Sequence, residues 1–226
     1  MFEEFYKNIE LTDAEIYFLA KELEMNQIIG LGFDYESMNK EMKNTIKQES
    51  YDLFEKQQAL KMDFSGNTTV NEDYANVVKS FEFPNYCGIV QHVGMSKEVS
   101  ALRKVYCNDN KWTALDYERE NLCSIYVLPD KKHANDFLYF NLNIASNDKN
   151  NTVVTFDSLE KLKQVADDIV ATTEYIKNGN TYKVIQRIFV NVKNMDWFEA
   201  DVKSEETNII LIPFKDLVKV AGGENE

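Results

Sequence analysis

The sequence predicts an α+β fold, with a central antiparallel sheet flanked by helices and an approximate internal two-fold repeat. Three observations predict it. Capped, amphipathic helical patterns fill the segment before Tyr86. From Tyr86 onward, short apolar runs alternate with polar turns, as hairpins require. The order strand, Trp-bearing strand, polar turn, apolar strand, proline then occurs twice.

The elements follow in chain order. Thr12 is a good N-cap and Glu15 falls three residues later, which makes a capping box. Ile16, Leu19, Ala20 and Leu23 recur at helical spacing behind it, and Gly30 or Gly32 bounds that helix. Residues 25–31 are a mixed apolar connection. A second helix is expected over 35–58, with Met38, Met42, Ile46, Tyr51, Leu53 and Phe54 on its apolar face. Residues 60–64 alternate apolar and polar as a short strand, and Ser65-Gly66-Asn67 turns the chain. Asn71 caps a third helix through Tyr74, Val77, Val78 and Phe81, which Pro84-Asn85 stops. Strands are expected over 87–93, 102–107, 112–117 and 122–128. Residues 133–140 fit either a short helix or a strand, and 145–151 form a polar connector.

The second half opens on a strand at 153–156, with Asp157 or Ser158 as an N-cap. Leu159, Leu162, Val165, Ala166, Ile169, Val170 and Ile176 have the spacing of one long amphipathic helix, ended by Asn178-Gly179-Asn180. On that helix Asp167 and Asp168 fall on the polar side. Strands at 182–192, 197–202 and 208–212 follow, then a short closing helix or turn from Pro213 and a tail at 221–226. The echo pairs Lys104-Val105-Tyr106-Cys107, Trp112 and Pro129 with Arg187-Ile188-Phe189-Val190, Trp197 and Pro213. It predicts one domain over 1–226, with related halves at about 1–144 and 152–220.

Charge narrows the function. Lys and Arg number 25 against 38 Asp and Glu, a formal net charge of −13. A field of that sign repels phosphate, so nucleic acid and anionic membranes are poor partners. The first residues have neither a basic n-region nor an apolar h-region, and no apolar run reaches the length of a membrane span. Cys87, Cys107 and Cys123 are an odd number, far apart, and read as buried reduced thiols of a cytoplasmic protein.

The sequence carries no equipment for catalysis. His92 and His133 lie far apart and outside any metal-ligand spacing. Cys87 and His92 stand at an odd separation, on opposite faces of a strand. No G-x-S-x-G elbow occurs, and Gly30-Leu31-Gly32 lacks the third glycine and the lysine of a phosphate loop. The expectation is no enzyme, no metal and no cofactor. What remains is surface. The chain holds 12 Tyr and 14 Phe, and aromatics are favoured at protein interfaces. Phe2, Phe5, Tyr6, Met95 and Val99 are the apolar residues hardest to assign to a core. The loop 94–100 places Met95 and Val99 beside Lys97 and Glu98, the candidate partner contacts. The plain alternative is that Val99 opens the next strand and packs inward.

The opening Leu11-Thr12-Asp13-Ala14-Glu15-Ile16-Tyr17-Phe18-Leu19-Ala20, the long second helix, and Ala59-Leu60-Lys61-Met62-Asp63-Phe64 before a third helix resemble the EspG-type proteins. The EsaE-type chaperones are the closer comparison. The runs Ile125-Tyr126-Val127-Leu128-Pro129 and Ile209-Ile210-Leu211-Ile212-Pro213 fit the same layout. These are cytosolic chaperones of the bacterial type VII (ESX) secretion system. The resemblance implies an α+β fold with internal two-fold symmetry, no catalysis, and binding of a secreted protein substrate that is kept soluble and export-competent. By position, it also implies that the loop 94–100 contacts that substrate. The alternative from another class is an acidic immunity protein that neutralises a polymorphic toxin.

Overall fold

The computed structural model describes residues 7–25, 28–30, 38–62, 64–65, 67–94, 99–119, 122–142, 144, 154–192, 197–202 and 209–213. The elements run β1 (Lys7–Thr12), α1 (Asp13–Glu22), α2 (Lys40–Gln57), β2 (Leu60–Met62), β3 (Thr68–Val70), α3 (Glu72–Lys79), β4 (Tyr86–Val93), β5 (Val99–Asn108), β6 (Lys111–Arg119), β7 (Leu122–Leu128) and α4 (Lys131–Leu138). They continue as β8 (Val154–Phe156), α5 (Leu159–Val165), β9 (Ala166–Asn178), β10 (Thr181–Val192), β11 (Trp197–Val202) and β12 (Ile209–Pro213).

The main sheet has ten strands in the hydrogen-bonded order β1-β7-β6-β5-β4-β9-β10-β11-β12-β8, and β2 pairs with β3 apart from it. Every pairing with a described register is antiparallel. The fold is α+β, as the sequence predicts. Each half lays out a strand, a capped helix and a four-stranded meander, and the opening strand pairs with the last strand of its own meander: β1 with β7, β8 with β12.

The chain divides into two compact units, Met1–Cys87 with Val105–Lys131, and Gly88–Lys104 with Lys132–Glu226. In the first unit, Thr12 ends β1 and caps α1. Its Oγ1 accepts from the Glu15 amide at 3.1 Å and its own amide donates to Glu15 Oε2 at 2.7 Å. Two orphan donors of the helix end are thereby satisfied. Helix α1 packs on α2 and α3, burying Ile16, Leu19 and Ala20 with Ile46, Leu53, Val77, Val78 and Phe81. Full burial of one such side chain contributes about 1.5–3 kcal/mol. Tyr106 is wholly buried, its ring 4.7 Å from that of Phe81. Its hydroxyl donates to the Ile29 carbonyl at 3.1 Å, so the polar tip is satisfied.

In the second unit, Leu162, Ala166, Val190, Val192, Phe198 and Ile209 form a core, with Val154, Phe156, Ile169, Ile188 and Ala200 packed against it. Helix α5 is capped by Ser158, whose Oγ accepts from the Lys161 amide at 3.3 Å.

Several expectations need correction. The long helix foreseen from Leu159 to Ile176 is α5 followed at once by the 13-residue strand β9. Ala166 turns to extended backbone with ψ 129°. A spacing of four is even, so Leu162, Ala166 and Val170 share a face on a strand as well as on a helix. Ile169, Val170, Thr172, Thr173 and Ile176 are β-branched and favour the pleated form. Asp167 and Asp168 therefore lie on a strand. Helix α2 begins at Lys40, because Asn39 is extended and accepts from the Met42 amide at 2.8 Å as an N-cap. Strands β1 and β3 were not foreseen, and residues 133–140 resolve as helix α4. The connector 145–151, the tail 221–226 and Phe2, Phe5 and Tyr6 lie outside the described residues.

Candidate interaction surfaces

The sequence-predicted contacts sit between β4 and β5. Along β4 burial fades: Tyr86, Cys87 and Val90 are buried, Gln91 is exposed, and His92 and Val93 are half-buried. His92 Nε2 lies 2.9 Å from Asp168 Oδ1 on β9, which fastens the end of β4 beside the loop. Val99 is the first residue of β5, as the alternative reading of this position had it. Met95, Lys97 and Glu98 lie outside the described residues, as does the side chain of Val99.

A second surface went unread in the sequence. A cleft of about 560 Å³ in the first unit is lined by α3, the β5–β6 turn and the end of β7. Val77, Trp112 and Leu128 are its buried apolar lining, and Val127 is 45% exposed. Asp73, Asn76, Lys79, Asp109 and Lys111 add polar groups of both signs. Asp109 and Asn110 have φ of 48° and 62°, the left-handed pair that a two-residue hairpin turn demands. The legible signal was Asn108-Asp109-Asn110 running directly into Lys111-Trp112.

Burial pushes the Cys107 thiol up, with Asp109 adding to it and an Asn110 backbone hydrogen bond opposing. All three cysteines are buried and none forms a disulfide. Burial likewise raises Tyr106, Tyr117 and Tyr139 well above the phenol range. None of these groups is a ready nucleophile at neutral pH. In the second unit Arg187 grips Glu199 with two hydrogen bonds of 2.8 and 2.9 Å and lies 4.9 Å from the Phe189 ring centroid. Among the described residues, no group of three or more His, Cys, Asp or Glu could hold a metal ion. No described helix is long and apolar enough to cross a membrane.

A repeated strand–helix–meander plan on one large antiparallel sheet defines the class of fold. Comparison with known structures gives it a specific counterpart. The chain is similar to the Mycobacterium tuberculosis type VII secretion system chaperone EspG5, solved in complex with a PE25–PPE41 dimer. The TM-score is 0.53 at 8% identity, over 91% of this chain and 90% of that one. The likeness is one of fold. No family model and no curated protein sequence matches the chain.

Proposed function

We propose that this chain is a cytoplasmic chaperone or targeting adaptor that binds a type VII secretion substrate and keeps it soluble until export, without catalysing a reaction. The observation that carries the reading is the fold likeness, over about nine-tenths of both chains, to a chaperone solved with a bound dimer. The net charge of −13 suits a partner with basic or exposed apolar surface. The loop bearing Met95, Lys97, Glu98 and Val99 is the proposed contact, with Met95 as the adaptable apolar group.

Co-expression with secreted proteins encoded beside it, followed by pull-down and an export assay, tests the reading. The substrate is held before export and the chaperone stays behind. Met95→Asp weakens the complex by about 1–3 kcal/mol and leaves the melting temperature in place. Stoichiometric abolition of a toxin's activity, with export unaffected by deletion, would replace this reading by the immunity one.

A further inference from the structure

We propose that residues 1–6 of this chain dock into the cleft at the end of β7, carrying strand β1 onward and laying Tyr6 and Phe5 against its apolar lining. The register points to it. The described pairing of β1 with β7 stops at Lys7 opposite Tyr126, one residue short of Val127. Up to that point one face of β7 is closed by an apolar row. Leu11 stands beside Cys123 and Ile9 beside Ile125, and all four are buried. Val127 is the next residue of that face, and it is 45% exposed. Thr113, its partner on β6, lines the cleft beside it.

A register shift between Lys7 and Ile9 decides which residue comes next. In an unbroken register Lys7 would fall opposite Val127. With the shift, the same ladder continued by one residue brings Tyr6 opposite Val127. One residue further, Phe5 falls opposite Leu128, the cleft residue that pairs with Trp112. Aromatic side chains thus arrive where the cleft offers apolar surface. Reach is ample, because at ~3.3 Å per residue the segment spans about 20 Å. The segment and every side of the cleft belong to one compact unit, Met1–Cys87 with Val105–Lys131. Charge does not choose the occupant, since Asp73 and Asp109 balance Lys79 and Lys111 in the lining. Tethering does: a segment joined to β1 has a high effective concentration at the cleft, which a separate partner lacks.

The test uses the full chain. Tyr6→Cys with Val127→Cys forms an intrachain disulfide under mild oxidation, because residues opposite each other on antiparallel strands have the Cβ spacing that a disulfide needs. It forms roughly tenfold faster than the control pair. That control is Tyr6→Cys with Val184→Cys, a similarly exposed position outside the first unit. The three native cysteines are buried, and the control pair reports any exchange with them. A second measurement needs no crosslink and serves if the cysteine pair misfolds. Trp197→Phe leaves Trp112 as the chain's single tryptophan. Adding Phe5→Ser with Tyr6→Ser then shifts the Trp112 emission to the red and opens it to quenching by acrylamide. Equal crosslinking of the two pairs, disulfide-linked dimers in place of the intrachain product, or Trp112 emission and quenching unchanged by the serine pair each overturn the inference. Dimers would assign the cleft to a second copy of the chain. The outcome is independent of the chaperone reading, which the co-expression experiment decides separately.

Discussion

The two halves of the chain share a strand plan and differ in what covers it. In the first, α1, α2 and α3, of 10, 18 and 8 residues, join the core around β1, β6 and β7. In the second, the meander follows a single seven-residue helix, α5. Exposure also differs between strands of the two meanders. In β5, Arg103 and Lys104 are buried at 9% and 6% exposure, and Arg103 donates to the Phe140 carbonyl at 2.6 Å. In β10, Lys183 and Val184 face solvent. Strand order alone therefore does not set exposure: Arg103 is held by a carbonyl just after α4, in its own compact unit.

The largest expected effect falls on the covered half. Tyr106→Ala removes a fully buried ring and its hydrogen bond to Ile29, and costs about 3–5 kcal/mol in denaturant unfolding. Val184→Ala changes stability by less than about 0.5 kcal/mol. A comparable loss at both positions would break the contrast.

The arginines come next. Arg103→Ala removes a part-buried hydrogen bond to the Phe140 carbonyl and a cation held 5.6 Å from the Phe140 ring, for roughly 2 kcal/mol. Arg187→Ala opens a half-exposed ion pair and costs at most about 1 kcal/mol. Chemical denaturation with a matched Lys variant at each site separates lost packing from lost charge.

The caps differ by less. Thr12 makes both bonds of a capping box and donates to Glu49 Oε2 at 3.3 Å, whereas Ser158 makes a single capping bond. Thr12→Ala should cost about 1–2 kcal/mol and Ser158→Ala about 0.5–1 kcal/mol.

The smallest effect is a pH response of opposite sign. Burial pushes the Glu15 carboxyl up, against the Thr12 amide and Lys56. Its folded value lies above the unfolded one, so its contribution is fully present below the unfolded value and lost as pH rises through the folded one. The wild type therefore gains on Glu15→Gln as pH falls from neutral. Asp157 is held low by its hydrogen bond to Lys161. Its contribution is present above the unfolded value and lost as pH falls through the folded one, so the wild type loses on Asp157→Asn. Melting curves from pH 7 to about 3 read both trends across the carboxylate range.

Much of this plan was legible in the residues. Thr12 and Glu15 announced α1, Asn71 announced α3, and the polar turn around Asp109 marked its hairpin, whereas Asn178-Gly179-Asn180, read as a helix end, is the β9–β10 turn. Strand β9 was not legible, because even spacing serves both periodicities and nothing local signals Ala166 as a boundary. Strand β1 escaped because Ile9 and Leu11 alternate over too few residues, and its strand character comes from β7, far along the chain. The cleft was hidden for a related reason: only tertiary structure brings Trp112 and Val77 to line one cleft.

The pairing of β1 with β7 also bears on how the chain is made. Lys7 lies opposite Tyr126, whereas Phe156 lies opposite Ile209, a much shorter loop. During synthesis at ~5–20 residues per second, β1 leaves the ribosome roughly 6–24 s before its partner strand exists. The hairpins β5–β6 and β9–β10 close as soon as they emerge. The first half thus spends its early life with an unpaired edge and an unfinished core, and a nascent chain stalled before β7 is the species most exposed to aggregation and proteolysis.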